Sequence, residues 1–441
     1  MRTGKKLYIE TYGCQMNVRD TRQIVALLKA YGYEEVSHPG KADVIIINSC
    51  TVREKAAQKI VSRLGRLRKY KTKKKEIIVA LGGCLAQHRG EEIIRRFPHL
   101  DLVFGTHSVA NLPQLLKSIE ETGERIVEIS FSSGLFCYPR APVPEEKSIC
   151  AFITIMQGCN NFCSYCVVPY VRGREESRPP DDIIEEIKIL VDRGVKEVTL
   201  LGQNVNSYGH TLAEHVTFPY LLSKISEIEG LERIRFTTSH PKDLSEELTD
   251  CFVHLPKLCP HIHLPFQSGS NRILRLMNRN YTREEYMEKV KMLKERCPDI
   301  AITADVMVGF PGETEEDFND TLDLMDKIRF DNLFSFKYSK REGTYAANLL
   351  DDVPETVKAR RLWLLQKRQE TYTWEKHQAL IGKREEVLVE GLSKNSPQEL
   401  MGRTGTNKIV NFPGRENLLG EIVPVTITGA FLHSLRGEII E

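Results

Sequence analysis

No window of this sequence approaches the roughly 18 consecutive apolar residues that a membrane-spanning helix needs, so no bilayer span is expected. The amino terminus, MRTGKKLYIE, enters an apolar alternation without the longer apolar segment of a secretory leader, and the expectation is a cytoplasmic chain with no membrane partner. The eleven cysteines are odd in number and lack the dense, even pairing of a secreted disulfide framework; grouped thiols in a reducing compartment point to metal or catalysis. The twelve histidines form no H-E-x-x-H or other zinc pattern. The glycine-containing turn VGFPGE, Val308 to Glu313, lacks both G-x-G-x-x-G and G-K-[ST], which disfavours a dinucleotide fold and a P-loop.

What is present divides the chain. At 441 residues it is too long for one ordinary core, and two or three domains are expected. The net charge of +2 conceals an uneven distribution: residues 1–145 hold 24 Lys+Arg against 15 Asp+Glu, residues 146–377 hold 31 against 37, and the remainder 7 against 8. Much of the local excess lies in KIVSRLGRLRKYKTKKK, Lys59 to Lys75, nine cations with no acid. Such a run is either a solvated helix face or a patch for nucleic-acid phosphates.

Residues 1–122 alternate short apolar strands with amphipathic helical stretches, the pattern of a doubly wound parallel sheet. A proline-containing stretch, SSGLFCYPRAPVPEEKS, marks a linker over 123–145. From 146 to 376 come six strand-like runs, CAFITIMQG, EVTLLGQNV, RIRFTTSH, HIHLPFQSG, ITADVMVGFPGE and LFSFKYSKREGT, separated by helical stretches; a partial or full α/β barrel is the natural architecture. Residues 379–441 have short β-rich runs broken by Gly, Pro and Asn, which suits a small antiparallel barrel.

Three strands of the first region end in cysteine: KLYIETYGC at Cys14, DVIIINSC at Cys50 and EIIVALGGC at Cys84. Ligands of parallel sheets gather outside the carboxyl ends of the strands, so three such thiols would be close in space. A single buried cysteine is more often packing than a ligand, and the convergence is what argues otherwise. After CAFITIMQG the chain reads C-NNF-C-SY-C, at Cys159, Cys163 and Cys166. A closed zinc site would need a fourth ligand nearby, and none follows. Three thiolates on a four-iron cluster leave one iron open.

C-x3-C-x2-C with Tyr165 before its last cysteine resembles the signature of the radical S-adenosylmethionine (radical SAM) enzymes. The resemblance implies a partial (β/α)6 barrel and a cluster whose open iron chelates SAM and whose electron cleaves it to a 5′-deoxyadenosyl radical. It makes Tyr165, Gln203, Asn204, Ser239, Gln267 and Asp305 candidates for cofactor contact, although polar strand-end residues often serve only to cap loops. The contexts TYGCQMN, INSCTVREKA and LGGCLAQ resemble the radical SAM methylthiotransferases, in which Cys14, Cys50 and Cys84 would hold a second [4Fe-4S] cluster facing the first across a substrate cavity. The carboxyl-terminal segment is similar to their RNA-binding TRAM barrel.

Within that family, TYGCQMN and CVVPYVRGREESRP match best the branch that methylthiolates isopentenyl-modified adenosine beside a tRNA anticodon. The sibling branches act on threonylcarbamoyladenosine in tRNA or on a ribosomal-protein aspartate. The C2 hydrogen of adenine is too weak an acid for side-chain general bases, so radical chemistry is required and no catalytic side chain beyond clusters and SAM is expected. Expected partners are a tRNA anticodon stem-loop, an electron donor such as flavodoxin or ferredoxin, and a sulfur donor or cluster-repair protein, with the chain a monomer. Lys73, Lys74, Lys75, Arg403, Lys408 and Phe412 are candidates for RNA contact, and the turn at Val308 to Glu313 for a backbone approach to SAM. Cys137, Cys150, Cys251, Cys259 and Cys297 are read as packing; His261 and His263 alternate on one strand and could point into the barrel, with a hydrogen-bonded core role the favoured reading. The rival from another class is a non-catalytic RNA-binding protein with structural zinc.

Overall fold

The run VIIINS, Val44–Ser49, has no polar face and is buried at every position, the signature of a strand with helices on both sides. The computed structural model describes residues 4–51, 54–131, 148–214, 216–394 and 396–440. Cys137 and most of the expected linker lie outside them. The chain forms two compact units, Met1–Pro144 with Met156–Asn160 and Val167–Asp182, and Glu145–Ile155 with Asn161–Cys166 and Ile183–Glu441.

In the first unit, strands β1 (Lys5–Thr11), β2 (Tyr33–Glu35), β3 (Val44–Ser49), β4 (Ile78–Gly83), β5 (Leu102–Phe104) and β6 (Ile126–Glu128) make one parallel sheet in the order β2-β1-β3-β4-β5-β6. Helices α1 (Gln15–Ala30), α2 (Glu54–Lys73), α3 (Cys84–Arg96) and α4 (Leu112–Thr122) connect the strands. Ile45 and Ile47 of β3 pack with Leu64 of α2 and Leu85 of α3, whereas Val44 and Ile46 pack with Leu28 of α1 and Leu116 of α4. The sheet is therefore doubly wound, as expected. It runs past the expected boundary at 122, because β6 pairs in parallel with β5.

The chain continues through β7 (Cys150–Thr154) of the second unit, then β8 (Met156–Gln157), α5 (Val168–Arg172) and β9 (Glu176–Ser177), which return to the first. There β8 and β9 pair antiparallel, and Val171 of α5 packs on Cys84.

The second unit sets β7, β10 (Glu197–Leu201) and β11 (Arg233–Phe236) in one parallel sheet, and β12 (His261–His263), β13 (Ala301–Val308) and β14 (Asn332–Lys337) in another. A parallel bridge from Ile234 to Leu258 and a hydrogen bond from Ser239 N to His263 O (3.4 Å) link β11 toward β12. The result is the expected six-strand partial barrel. Its strands are separated by α6 (Pro180–Val191), α7 (Phe218–Ser226), α8 (Glu246–His254), the pair α9 (Asn271–Leu276) and α10 (Arg283–Arg296), and α11 (Glu315–Ile328). Thr217, Ser245, Ser270, Thr282 and Thr314 each cap a helix by accepting a backbone N–H, so the helix starts are written locally.

Helix α12 (Glu355–Gln378) leads into a closed barrel of β15 (Arg384–Leu392), β16 (Glu399–Thr404), β17 (Ile409–Pro413), β18 (Ile422–Ala430) and β19 (Leu435–Ile439), ordered β15-β16-β17-β19-β18. It is antiparallel except for β17 with β19, which run parallel. No helix among the described residues is long and apolar enough to cross a membrane.

Candidate radical SAM and cysteine sites

The registers of β1, β3 and β4 bring the three amino-terminal cysteines to one edge of the sheet. Thr11 pairs with Asn48 and Ser49 with Gly83, so Cys14, Cys50 and Cys84 leave adjacent strands at the same carboxyl end. This is also where the strand order reverses, between β1 and β3, the place where open α/β sheets bind ligands. The approach is close enough to require glycine before two of the cysteines. A Cβ at Gly13 (φ +151°) would lie 2.8 Å from Cys50 Cβ, and one at Gly83 (φ +89°) would lie 2.6 Å from Ser49 O. Asn17 ties the edge together: its side-chain oxygen accepts from Cys14 N (3.3 Å) and its amide donates to Ser49 O (3.2 Å).

Cys14 caps α1 and Cys84 opens α3, where helix N-termini favour a thiolate. Burial works against this and pushes the Cys84 thiol up to about 11, with the Arg172 guanidinium pulling the other way. Arg172, 4% exposed, donates from Nε to Cys84 Sγ (3.3 Å) and from Nη2 to Asp20 (2.6 Å). A buried cation against these thiols suits a site that carries negative charge once the thiolates bind metal. Among the described residues, three metal-binding side chains meet within 4.8 Å only at Cys150, Glu197 and Glu390. Cys14, Cys50 and Cys84 do not converge that closely.

In the second unit, the loop carrying Cys163 and Cys166 hangs on the end of α9. Ser164 N and Oγ donate to Met277 O (2.9 Å) and Leu276 O (2.8 Å), and Asn278 donates to Phe162 O (3.0 Å). Arg279, also buried, donates to Cys163 Sγ (3.5 Å) and Pro265 O (2.8 Å). Tyr165 packs against Ile273, Met277 and Phe310, as does Met307. Cys159 belongs to the first unit, its N–H donating to Gly173 O (3.2 Å).

At the strand ends, the side-chain oxygens of Gln203 and Ser239 are buried with no hydrogen-bond partner among the described residues, as are both amide atoms of Asn206 and His240 Nε2. Buried polar atoms rarely go unpaired, so this cluster asks for a polar ligand, and SAM, with its amine, carboxylate and ribose hydroxyls, meets that need. Asn204 does not share the property: its amide is spent on Asp243 (2.7 Å) and on His240 N (3.0 Å). The orphaned amide is that of Asn206, two residues on, which sequence reasoning passed over although GQNVNS contains both. Gln267 sits at φ +65° and uses its backbone to pair with Asp305 O and Met307 N. Asp305 lies three residues before the end of β13, 3.5 Å from His263. In the Val308 to Glu313 turn, Gly309 makes room for the Lys358 stem, and Glu313 accepts from Gly309 N (2.6 Å) and Arg361 (2.8 Å).

The RNA candidates separate by pairing and burial. Lys73, Lys74 and Lys75 are all exposed, and Lys74 is paired with Asp43 (2.6 Å). Arg403 pairs with Glu390 (3.1 Å) and stays one-third exposed. Two expectations are corrected. Phe412 is 0% exposed inside the terminal barrel's core, because its position on β17 faces inward, and Lys408 is largely covered in an ion pair with Asp331 (3.1 Å). Neither can lie against an RNA backbone in this fold.

The class of the protein follows from its middle. Residues 153–325 match the Radical SAM superfamily, whose members use a four-iron cluster and SAM. Residues 6–105 match the uncharacterized protein family UPF0004, and residues 378–440 match the TRAM domain. A solved structure of the radical SAM methyltransferase TsrM from Kitasatospora setae has a TM-score of 0.57 at 16% identity, covering 75% of this chain and 72% of that one. The cobalamin-dependent SAM radical enzyme OxsB gives 0.54 at 13%, covering 83% of this chain and 56% of that one; at these identities the likeness is one of fold. Over 99% of its length the chain is 56% identical to the tRNA-2-methylthio-N(6)-dimethylallyladenosine synthase of Syntrophus aciditrophicus (strain SB), covering 95% of that protein. The protein of the same name from Geobacter sulfurreducens is 50% identical over 100% of this chain and 98% of its own. The chain belongs to the family of tRNA-2-methylthio-N(6)-dimethylallyladenosine synthases.

Proposed function

We infer that this chain replaces the C2 hydrogen of N6-dimethylallyladenosine, beside the anticodon of tRNA, with a methylthio group. The observation that carries the reading is the 56% identity, over nearly the whole of both chains, to a protein of that name. In this reading Cys159, Cys163 and Cys166 hold the cluster that binds SAM, and Cys14, Cys50 and Cys84 hold an auxiliary four-iron cluster. When bound, the first would supply a 5′-deoxyadenosyl radical from SAM, and the second would hold the sulfur to be inserted. The chain's own residues position and shield. Gln203, Asn206 and Ser239 satisfy their buried atoms on SAM, with Tyr165 packed beside the cluster loop. Arg172 and Arg279 balance charge at the thiolates. Lys73, Lys75 and Arg403 hold phosphates, and the reducing electron and replacement sulfur come from separate proteins, a flavodoxin or ferredoxin and a sulfur donor.

The test is anaerobic reconstitution with SAM, a reductant and stem-loop RNA, read by mass spectrometry of the nucleosides. Conversion of dimethylallyladenosine to its methylthio derivative is expected, with about eight irons per chain. Conversion of threonylcarbamoyladenosine or of a ribosomal-protein aspartate instead would transfer the assignment to a sibling branch, and stoichiometric zinc without iron would favour a binding module. Cys50→Ala should abolish sulfur insertion while SAM cleavage persists; loss of both with folding intact would refute the division of labour.

A further inference from the structure

Folding leaves open an apolar surface on the inner face of the β12-β13-β14 sheet. Register sets Asp305 and Met307 of β13 beside Phe334 and Phe336 of β14. They occupy the face opposite Ala304, Val306 and Val308, which are wholly buried. His263 of β12 shares the inner face: its Nδ1 lies 3.0 Å from Thr303 Oγ1, its Nε2 3.5 Å from Asp305, and its ring meets that of Phe334 edge-on at 5.8 Å. Phe334 and Phe336 are nevertheless 46% and 37% exposed. Two successive inward phenylalanines on one strand, both partly bare, have no packing reason to be aromatic. Toward the carboxyl end, Met307 of this face packs on the same core of Ile273, Met277 and Phe310 as Tyr165, the aromatic between Cys163 and Cys166.

We propose that Phe334 and Phe336, with the His263 and Asp305 pair, form the surface that reads the dimethylallyl-adenine. This rests on the substrate reading above. The base is flat and π-faced, its branched tail is apolar, and its edge offers one N–H and several ring-nitrogen acceptors. Aromatic side chains stack such a base and pack such a tail, while the Asp305 carboxylate accepts the N–H and the imidazole donates to a ring nitrogen. Asp305 is thereby assigned to substrate instead of to SAM, in keeping with its place short of the strand end. The phenylalanines are specificity-determining and take no part in bond making.

The experiment compares binding of the reconstituted full-length enzyme to two stem-loop RNAs, one with dimethylallyladenosine and one with unmodified adenosine. The wild type should prefer the modified loop, and Phe334→Ala with Phe336→Ala should reduce that preference about tenfold, with iron content unchanged. Replacement of both by Leu keeps apolar bulk, guards against misfolding, and should give an intermediate loss. Full preference retained in the folded double variants would overturn the proposal. A wild type that turns over the modified loop without preferring it would also overturn this proposal, leaving the substrate reading standing. A wild type that neither prefers nor converts the modified loop would instead overturn the substrate reading, and this inference with it.

Discussion

A buried guanidinium donates to one sulfur in each cysteine set, Arg172 to Cys84 and Arg279 to Cys163. Hydrogen bonds to the sulfurs raise a cluster's reduction potential, and a charged donor in a low-dielectric site is the stronger form. Arg172→Gln should therefore lower the potential of the auxiliary cluster proposed at Cys14, Cys50 and Cys84, on the order of 50 mV, while the SAM-binding cluster is unmoved. Redox titration followed by electron paramagnetic resonance measures both; an unchanged auxiliary potential would show that the guanidinium only fills space. The cysteines could be read from the sequence because each ends a recognisable strand or falls in a tight local spacing. Arg172 could not, since it reaches a sulfur 88 residues away and VRG has no local mark of that destination.

At the scale of elements, α2 shows how a basic run divides its work. Arg63, Lys71 and Lys74 turn inward or sideways to pair with Glu10, Asp101 and Asp43, and hold the helix on the sheet. Lys59, Arg66, Lys69 and Lys73 remain exposed at helical spacing and have no ion pair among the described residues. In the proposed reading, phosphate binding falls to this second group. Replacing these four by Ala should flatten the salt dependence of tRNA binding, by up to about 0.9 in log-log slope for each phosphate that is no longer neutralised. Lys74→Ala should leave the slope unchanged and cost at most about 1 kcal/mol of stability, as exposed ion pairs do. Binding isotherms across a salt series decide this. Sequence alone marked the run as basic; which of its cations are already neutralised depends on acids of β1, the β2–β3 connection and the β4–β5 connection, and so on the sheet order.

At the scale of the whole molecule, the terminal barrel is held to the partial barrel by buried arginines of β11. Arg233 donates to Arg403 O (2.6 Å) and Glu386 O (2.7 Å), and Arg235 donates to Thr404 O (2.7 Å), Gly405 O (2.8 Å) and Glu197 (2.9 Å). Removing one partner of such a buried pair strands a charge. Arg235→Met should thus cost about 3–5 kcal/mol, with Glu197 left unpaired. Calorimetry should show the terminal barrel melting apart from the rest; a single undisturbed transition would mean that other interactions carry the docking.

The sequence by itself determined the elements and their chemistry: hydrophobic period, helix caps and strand-end or tightly spaced cysteines are local properties, written within a few residues. Tertiary structure decided which side chains were still available for ligands. Phe412 and Lys408 look like RNA-binding residues in sequence and are spent on a core and an ion pair. Asn204 is spent on a loop, while Asn206 beside it is left with unpaired buried atoms. Phe334 looks like core and is left bare. The physical reason is that a polar or aromatic group serves a ligand only if no other part of the chain has already satisfied it, and the competing partners come from residues far away in sequence.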